Sequence, residues 1–255
     1  MMNNATVVNI EKLPDCLFRI WIKPDWHLEN ITWFAGQFLR LGIIEPGFDS
    51  KSLRAMTIID IQDNIFEFFM VSVTDGVTSP RVSQLNIGDR CYLESKITGN
   101  FTLQNIPITN TTDLWMCGTG TGIAPYLAML ITDGSILDRC NNIILVHSVR
   151  SDQHLCYQNE IDNFKKRYSQ FHYVPVVTRD LTTHTVTCLR ERIPELIENK
   201  KLTAFTNIEI SPKHSFFMLC GVPGMIGKST VNLQAMGFNK HRRRTPGQIL
   251  TERYF

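Results

Sequence analysis

The sequence predicts two domains of different class: an antiparallel Greek-key β-barrel, then a doubly wound parallel-sheet α/β domain. Three observations lead there. Up to about Leu103 the apolar stretches are short and are broken by Gly, Asp and Pro. Beyond "NIPITNTTD" they become continuous, as in parallel strands buried on both faces. Between these later strands stand segments of helical length. The boundary is expected at 108/109, dividing the chain into 1–108 and 109–255.

In the first part, "LFRIWI", "QFLRLGII", "AMTIID", "IFEFFMVSV" and "CYLESK" read as barrel strands, with no helical stripe among them. Closure of the barrel removes exposed edges. In the second part, "LWMCG", "NIILVHSV", "FHYVPVVT" and "SFFMLCG" read as parallel strands. They alternate with the helical segments "IAPYLAMLITDG", "LCYQNEIDNFKKRY", "LRERIPELIENK" and "MIGKSTVNLQAM", the order of a doubly wound sheet.

With 255 residues there is room for two cores, and 43% hydrophobic with 20% charged residues is a globular composition. No uncharged apolar run reaches the roughly 18 residues that a membrane helix needs. The start "MMNNATVVNIEKLPD" lacks the order of a signal peptide, so a cytoplasmic location is expected. Seven cysteines without a C-x-x-C point to reduced thiols, not to a zinc knuckle or a cysteine-held iron–sulfur cluster. Seven histidines without H-E-x-x-H or a close ligand pair argue against a metal site. Charge is uneven: residues 1–112 hold nine Lys/Arg against twelve Asp/Glu, a balance of −3, and 113–255 hold seventeen against twelve, a balance of +5. Anionic ligands are therefore expected on the second part.

Four motifs carry chemistry. In "CGTGTGIAPYL" (117–127) a buried strand enters a glycine-rich turn and a helix with Pro125 near its start. Such a turn lets backbone approach a ligand and presents unpaired N–H groups to an anion. "CGVPGMIGKST" (220–230) is similar to an ATPase phosphate loop, but five residues separate Gly221 from Gly227 where that loop has four. An ATP-hydrolysing function thus stands as a remote rival. Arg150, Arg179 and Arg192 lie at or after strand ends, where doubly wound sheets bind ligands, and guanidinium forks suit a 2′-phosphate. The basic run "KHRRR" (240–244) is a solvated face or a docking patch for an acidic protein.

Taken in order, "LRAMT", "DGVTSPR", "GTGTGIAP", "VHSVR", "CGVPGM" and an aromatic end resemble the bacterial-type ferredoxin (flavodoxin)–NADP⁺ reductases, over about Val7 to Phe255. The resemblance implies FAD on the barrel and NADPH/NADP⁺ on the α/β domain. It implies hydride transfer to flavin N5 and then single-electron steps to ferredoxin or flavodoxin, both small acidic carriers. No nucleic-acid or membrane partner is expected, and the chain is taken as a monomer. Relatives sharing both domains also serve as oxygenase reductase components and as flavin or ferric-siderophore reductases. A non-enzymatic nucleotide-binding protein is a third class.

Residue by residue, the resemblance implies that Arg54 binds the FAD diphosphate and that Ala55, Met56 and Thr57 lie along the flavin, with the Thr57 hydroxyl near N5. Phe69 lines the FAD, Val77, Thr78 and Ser79 wrap its phosphates, and Thr121 reaches it from the other domain. Val149, Arg150, Thr178, Arg179 and Arg192 match positions around the NADP adenosine and its 2′-phosphate. Val222, Pro223 and Gly224 match the loop after the last strand, and Lys228 falls where some relatives carry an acid. Cys220 and Glu252 are implied at the nicotinamide edge and in proton handling. Family members usually have a tyrosine where this chain has Met56. A thioether still lies against an aromatic ring for about 0.3–1.5 kcal/mol, without ring stacking. The terminal Tyr254 is implied to stack on the isoalloxazine and Phe255 to cover the adenine, which makes Tyr254 a gate for nicotinamide.

Overall fold

The computed structural model describes residues 2–28, 32–45, 52–180 and 187–253. Seven strands form an antiparallel sheet: β1 (Ala5–Lys12), β2 (Leu17–Pro24), β3 (Phe38–Gly42), β4 (Arg54–Thr57), β5 (Asp60–Gln62), β6 (Ile65–Val71) and β7 (Arg90–Leu93). Their order is β4-β3-β7-β1-β2-β6-β5. The outermost strands, β4 and β5, are consecutive in the chain and are joined by Ile58 and Ile59. Ile58 N–H donates to Gln37 O on the β3 side (3.1 Å), and Ile59 N–H donates to Glu67 on β6 (3.0 Å). That joint curls the sheet into a barrel. "AMTIID" is therefore two strands around a bend, because its middle residues bond to both neighbours.

Side-chain alternation fills the barrel from one face of each strand. Phe18, Ile20 and Ile22 of β2 and Phe66, Phe68 and Met70 of β6 enter one buried cluster. Strand β6 is covered on its other face too, where Phe69 joins the cluster shared with the parallel sheet. The short helix α1 (Ser79–Val82) lies between β6 and β7.

The second sheet is wholly parallel: β8 (Asp113–Thr119), β9 (Asn142–Ser151), β10 (Phe171–Asp180), β11 (Ser215–Gly221) and β12 (Ile249–Arg253), in the order β10-β9-β8-β11-β12. Its residues alternate between two cores. Leu114, Met116, Ile143, Leu145, Phe216 and Met218 pack with Tyr126, Leu127, Ile161 and Phe164 of α2 (Ala124–Thr132) and α4 (Gln158–Arg167). Trp115, Cys117, Ile144, Val146, Phe217 and Leu219 pack with α5 (Ile193–Glu198), α6 (Lys201–Thr206) and α7 (Pro223–Ala235) on the opposite face. The small helix α3 (Gly134–Leu137) follows α2. The strand order reverses between β8 and β11, which is where doubly wound sheets bind ligands. The buried Tyr126 hydroxyl binds the carbonyls of Cys117 and Met218, one on each of these strands, at 3.0 and 2.8 Å.

Three elements differ from expectation. The helix predicted over "LRERIPELIENK" begins only at Ile193, because Pro194 suits a first turn and the residues before it pair with β10. A further helix, α6, follows Lys200, which takes a left-handed conformation (φ 57°). β11 is followed by one more strand, β12, too short and too polar ("ILTER") to stand out by hydrophobic periodicity.

Candidate functional site

A cavity of about 370 Å³ opens between the barrel and the carboxyl ends of the parallel strands. The barrel contributes Arg54 to Thr57 of β4, Phe69 of β6 and Val77 to Ser79 of the turn entering α1; the other layer contributes Thr121, Glu252 and Arg253. The chain thus brings to one cavity ten positions implied by the resemblance, from five separate segments. Phe38, Met70, Val71, Val73, Gly76 and Arg253 complete the wall and were not foreseen. For the hydrophobic ones, the pattern signal was indistinguishable from that of core.

Local contacts hold this wall in shape. The Ser79 hydroxyl accepts the Val73 N–H (3.1 Å), and Gly76 N–H donates to Val73 O (2.7 Å), closing the loop that carries Val77 and Thr78. Thr78 donates its hydroxyl to Ser52 O. Thr57 is buried, and Met56 packs in part on the barrel core while facing the cavity.

The two glycine-rich motifs meet at the switch point. A Cβ on Gly122 would stand 2.8 Å from Cys220 O, and one on Gly221 (φ +129°) would stand 2.0 Å from Thr119 Oγ1. Val222 N–H donates to that same Thr119 hydroxyl at 3.0 Å. Both motifs therefore owe glycines to packing against each other. Gly120 instead has positive φ (+54°) with open space around its Cβ direction. The helices that follow, α2 and α7, both begin at this joint, and Val222 caps α7 while Pro223 and Gly224 form its first turn. Their amino termini favour an anion between them. Lys228 is exposed one turn further along α7.

The arginines gather at the neighbouring edge. Val149 and Arg150 lie near the end of β9, and Thr178 and Arg179 near the end of β10, with Val177 opposite Val149 in the ladder. Thr178 donates its hydroxyl to Val149 O (3.0 Å), tying the two strand ends together. Leu189 bridges to Val176, so the segment carrying Arg190 and Arg192 runs beside β10. Arg190 donates to Arg179 O (2.5 Å) and is a fourth cation at this edge that motif reading missed.

Cys220 and Glu252 are paired across β11 and β12. Cys220 is buried, and Glu252 projects a carboxyl whose Oε2 has no hydrogen-bond partner among the described residues. Burial pushes that carboxyl up to about 7, against an ordinary 4.5. An acid that stays protonated to near neutrality at a cavity wall is equipped to give or take a proton. Tyr254 and Phe255 lie outside the described residues. The basic run is exposed for the most part; Lys240 bridges to Ile249 and His241 N–H donates to Ile249 O, at the start of β12, whereas Glu252 is near its end.

Fold and site together define a nucleotide-dependent protein with a barrel and a switch-point cleft sharing one ligand cavity. Comparison with known proteins narrows the class. Residues 116–230 match the family model described as oxidoreductase NAD-binding domain. A flavodoxin/ferredoxin–NADP reductase of Buchnera aphidicola subsp. Baizongia pistaciae is 34% identical over 256 residues, covering 98% of each chain. The enzyme of the same name from Escherichia coli K12 is 35% identical over 222 residues, covering 86% of this chain and 85% of its own. In structure, the chain is similar to a ferredoxin NADP⁺ reductase from Neisseria gonorrhoeae with bound FAD and NADP, at a TM-score of 0.87 and 30% identity over 99% and 98% of the two chains. The chain belongs to the flavodoxin/ferredoxin–NADP reductase family and is an oxidoreductase.

Proposed function

We propose that this chain passes electrons between NADPH and ferredoxin or flavodoxin through an FAD held in the 370 Å³ cavity. The observation that carries the reading is the convergence of β4, the Val77–Ser79 turn, Thr121 and Glu252, whose Oε2 has no hydrogen-bond partner among the described residues, on that one cavity. The lining fits a flavin nucleotide: apolar and thioether groups for a ring system, hydroxyls and Arg54 for a diphosphate, and an acid at the ring edge. When bound, FAD supplies the ability to take a hydride from nicotinamide and release electrons singly.

The residues then divide the work. Arg54, Thr78 and Ser79 hold the diphosphate. Ala55, Met56 and Phe69 flank the ring, and Thr57 orients its reactive edge. Thr121 reaches the FAD from the other layer, the glycine turn with Val222 to Gly224 holds the nicotinamide half, and Cys220 bounds the place where it arrives. Glu252 holds or releases a proton beside it. Val149 and Thr178 shape the adenosine edge, where Arg150, Arg179, Arg190 and Arg192 favour a 2′-phosphate and so NADPH over NADH. Lys228 supplies a further positive charge on α7. The roles that the resemblance implies for Tyr254 and Phe255, which lie outside the described residues, belong to the same proposal. Residues 1–108 form the FAD part and 109–255 the NADP part. The protein acts in the cytoplasm; among the described residues no helix is long and apolar enough to cross a membrane.

Purified protein is expected to be yellow and to bleach anaerobically with NADPH, faster than with NADH. Colourless protein that gains no FAD on incubation overturns the reading.

A further inference from the structure

Between the barrel and the parallel sheet lies a buried charged contact that the roles above do not use. Glu67 stands on the outer face of β6, two residues before Phe69, and both side chains turn toward the second sheet. Arg19 of β2 donates its Nε to Glu67 Oε1 at 2.9 Å, and its Nη2 reaches Glu67 at 2.9 Å and Glu160 of α4 at 3.3 Å. Into this pair comes Tyr157, the residue that caps α4. Its hydroxyl donates to Glu67 Oε1 at 3.0 Å, the Arg19 guanidinium lies 4.4 Å from its ring centroid, and its ring meets Phe69 edge-on at 5.2 Å.

Tyr157 reaches this position only by adopting a left-handed backbone (φ 63°, ψ 30°). That conformation is costly for a bulky L-residue and persists only where its surroundings over-determine it. Here the surroundings are barrel residues. On the same connection, His154 contacts Asp15 of the β1–β2 turn at 2.5 Å, across the same boundary. Burial pushes the Glu67 carboxyl up, while Arg19 and the Tyr157 hydroxyl pull it back. The phenol is thus one of two donors that compensate a desolvated acid.

We propose that Tyr157 is a positioning residue for hydride transfer. It locks the nucleotide-binding sheet onto the barrel at Glu67 and backs Phe69 on the cavity wall, so the distance and tilt between the two cofactor rings are set through it. The proposal rests on reading that cavity as the FAD site.

The test compares holoenzyme with Tyr157→Phe, which keeps the ring and loses one hydrogen bond to a carboxylate, and with Glu67→Gln, which keeps an acceptor for the phenol. With Tyr157→Phe, stopped-flow hydride transfer at saturating NADPH is expected to fall about tenfold, the scale of one such bond. NADP⁺ affinity and FAD content should hold, and the long-wavelength charge-transfer absorbance of the NADP⁺ complex, which reports ring contact, should weaken. Glu67→Gln should retain most of the rate. In flavin-free protein the Ile161 amide, which donates to Tyr157 O at 2.9 Å, should exchange with deuterium faster in Tyr157→Phe. An unchanged rate and charge-transfer band overturns the proposal, as does a rate loss that only tracks lost FAD or a lowered unfolding temperature. Wild-type protein that never takes up FAD ends the flavin reading, while the exchange measurement still decides whether the lock exists.

Discussion

Replacing Glu252 by glutamine gives a direct measure of what the cavity does to an acid. The carboxyl rises from an ordinary 4.5 to about 7 because burial disfavours its charged form, and its Oε2 finds no partner among the described residues. The sign follows from linkage. A raised carboxyl binds its proton more tightly in the fold than in the unfolded chain, so stability declines as pH climbs from 4.5 through about 7 and is level beyond. The full difference corresponds to about 3 kcal/mol. Glutamine fills the same space and never ionises. In flavin-free protein, Glu252→Gln should therefore gain under about 1 kcal/mol at about pH 5 and about 3 kcal/mol at about pH 9, the latter a shift of roughly 1 M or more in the urea midpoint. Other titrating groups cancel between the two proteins. His147 is one of them: burial lowers it from 6.5 to about 4, so it costs both proteins stability as pH falls from 6.5 to about 4. A glutamine effect that is the same at both pH values refutes the reasoning.

Other substitutions address the cofactor roles. Met56→Tyr should keep FAD and change its affinity or potential by an amount equivalent to about 0.5–1.5 kcal/mol, and an unaltered flavin spectrum, potential and turnover would sink the role given to the thioether. Arg150→Ala combined with Arg179→Ala should raise KM for NADPH about tenfold or more and leave NADH turnover alone, because the lost bonds go to the 2′-phosphate. Removal of residues 254–255 should change nicotinamide affinity by up to about tenfold while the unfolding temperature moves little; FAD retention and NADPH kinetics identical to the intact chain would refute the gate. Serine at Arg242, Arg243 and Arg244 should slow carrier association and flatten its salt dependence without changing the rate at saturating carrier, since a rim charge acts on encounter. The run meets β12 at Ile249, three residues and so about 10 Å along the strand from Glu252, at about 3.3 Å per residue.

Much of this architecture was legible because periodicity carries it. Phe66, Phe68 and Met70 alternate into the barrel, and "LWMCG" and "NIILVHSV" show no polar face because both of their faces are buried. What was not legible depends on partners distant in the chain. Ile58 and Ile59 look like strand interior, and only their bonds to Gln37 and Glu67 reveal a bend. Strand β12 holds its place through its ladder with β11, which no local signal announces. Arg190, two positions from Arg192, falls inside the predicted helix "LRERIPELIENK", and only the pairing of Leu189 with β10 brings it to this edge.

The two glycine-rich motifs show why site and fold cannot be separated here. Read singly, the first seemed to need glycine so that a ligand could come close, and the second was similar to a phosphate loop with the wrong spacing. In the structure Gly122 lies against Cys220 O and Gly221 against Thr119, so those two glycines draw the ends of β8 and β11 together, and Gly120 alone of the three keeps open space. That close approach is what a switch point requires: two neighbouring strands send their helices to opposite faces of the sheet, α2 to one core and α7 to the other. The same joint carries Thr121 to the barrel and leaves Cys220 beside Glu252 on the adjoining strand. An alanine at Gly122 or Gly221 would have to push β8 from β11, and the displacement would pass to Thr121 and to the cavity wall before it reached either hydrophobic core.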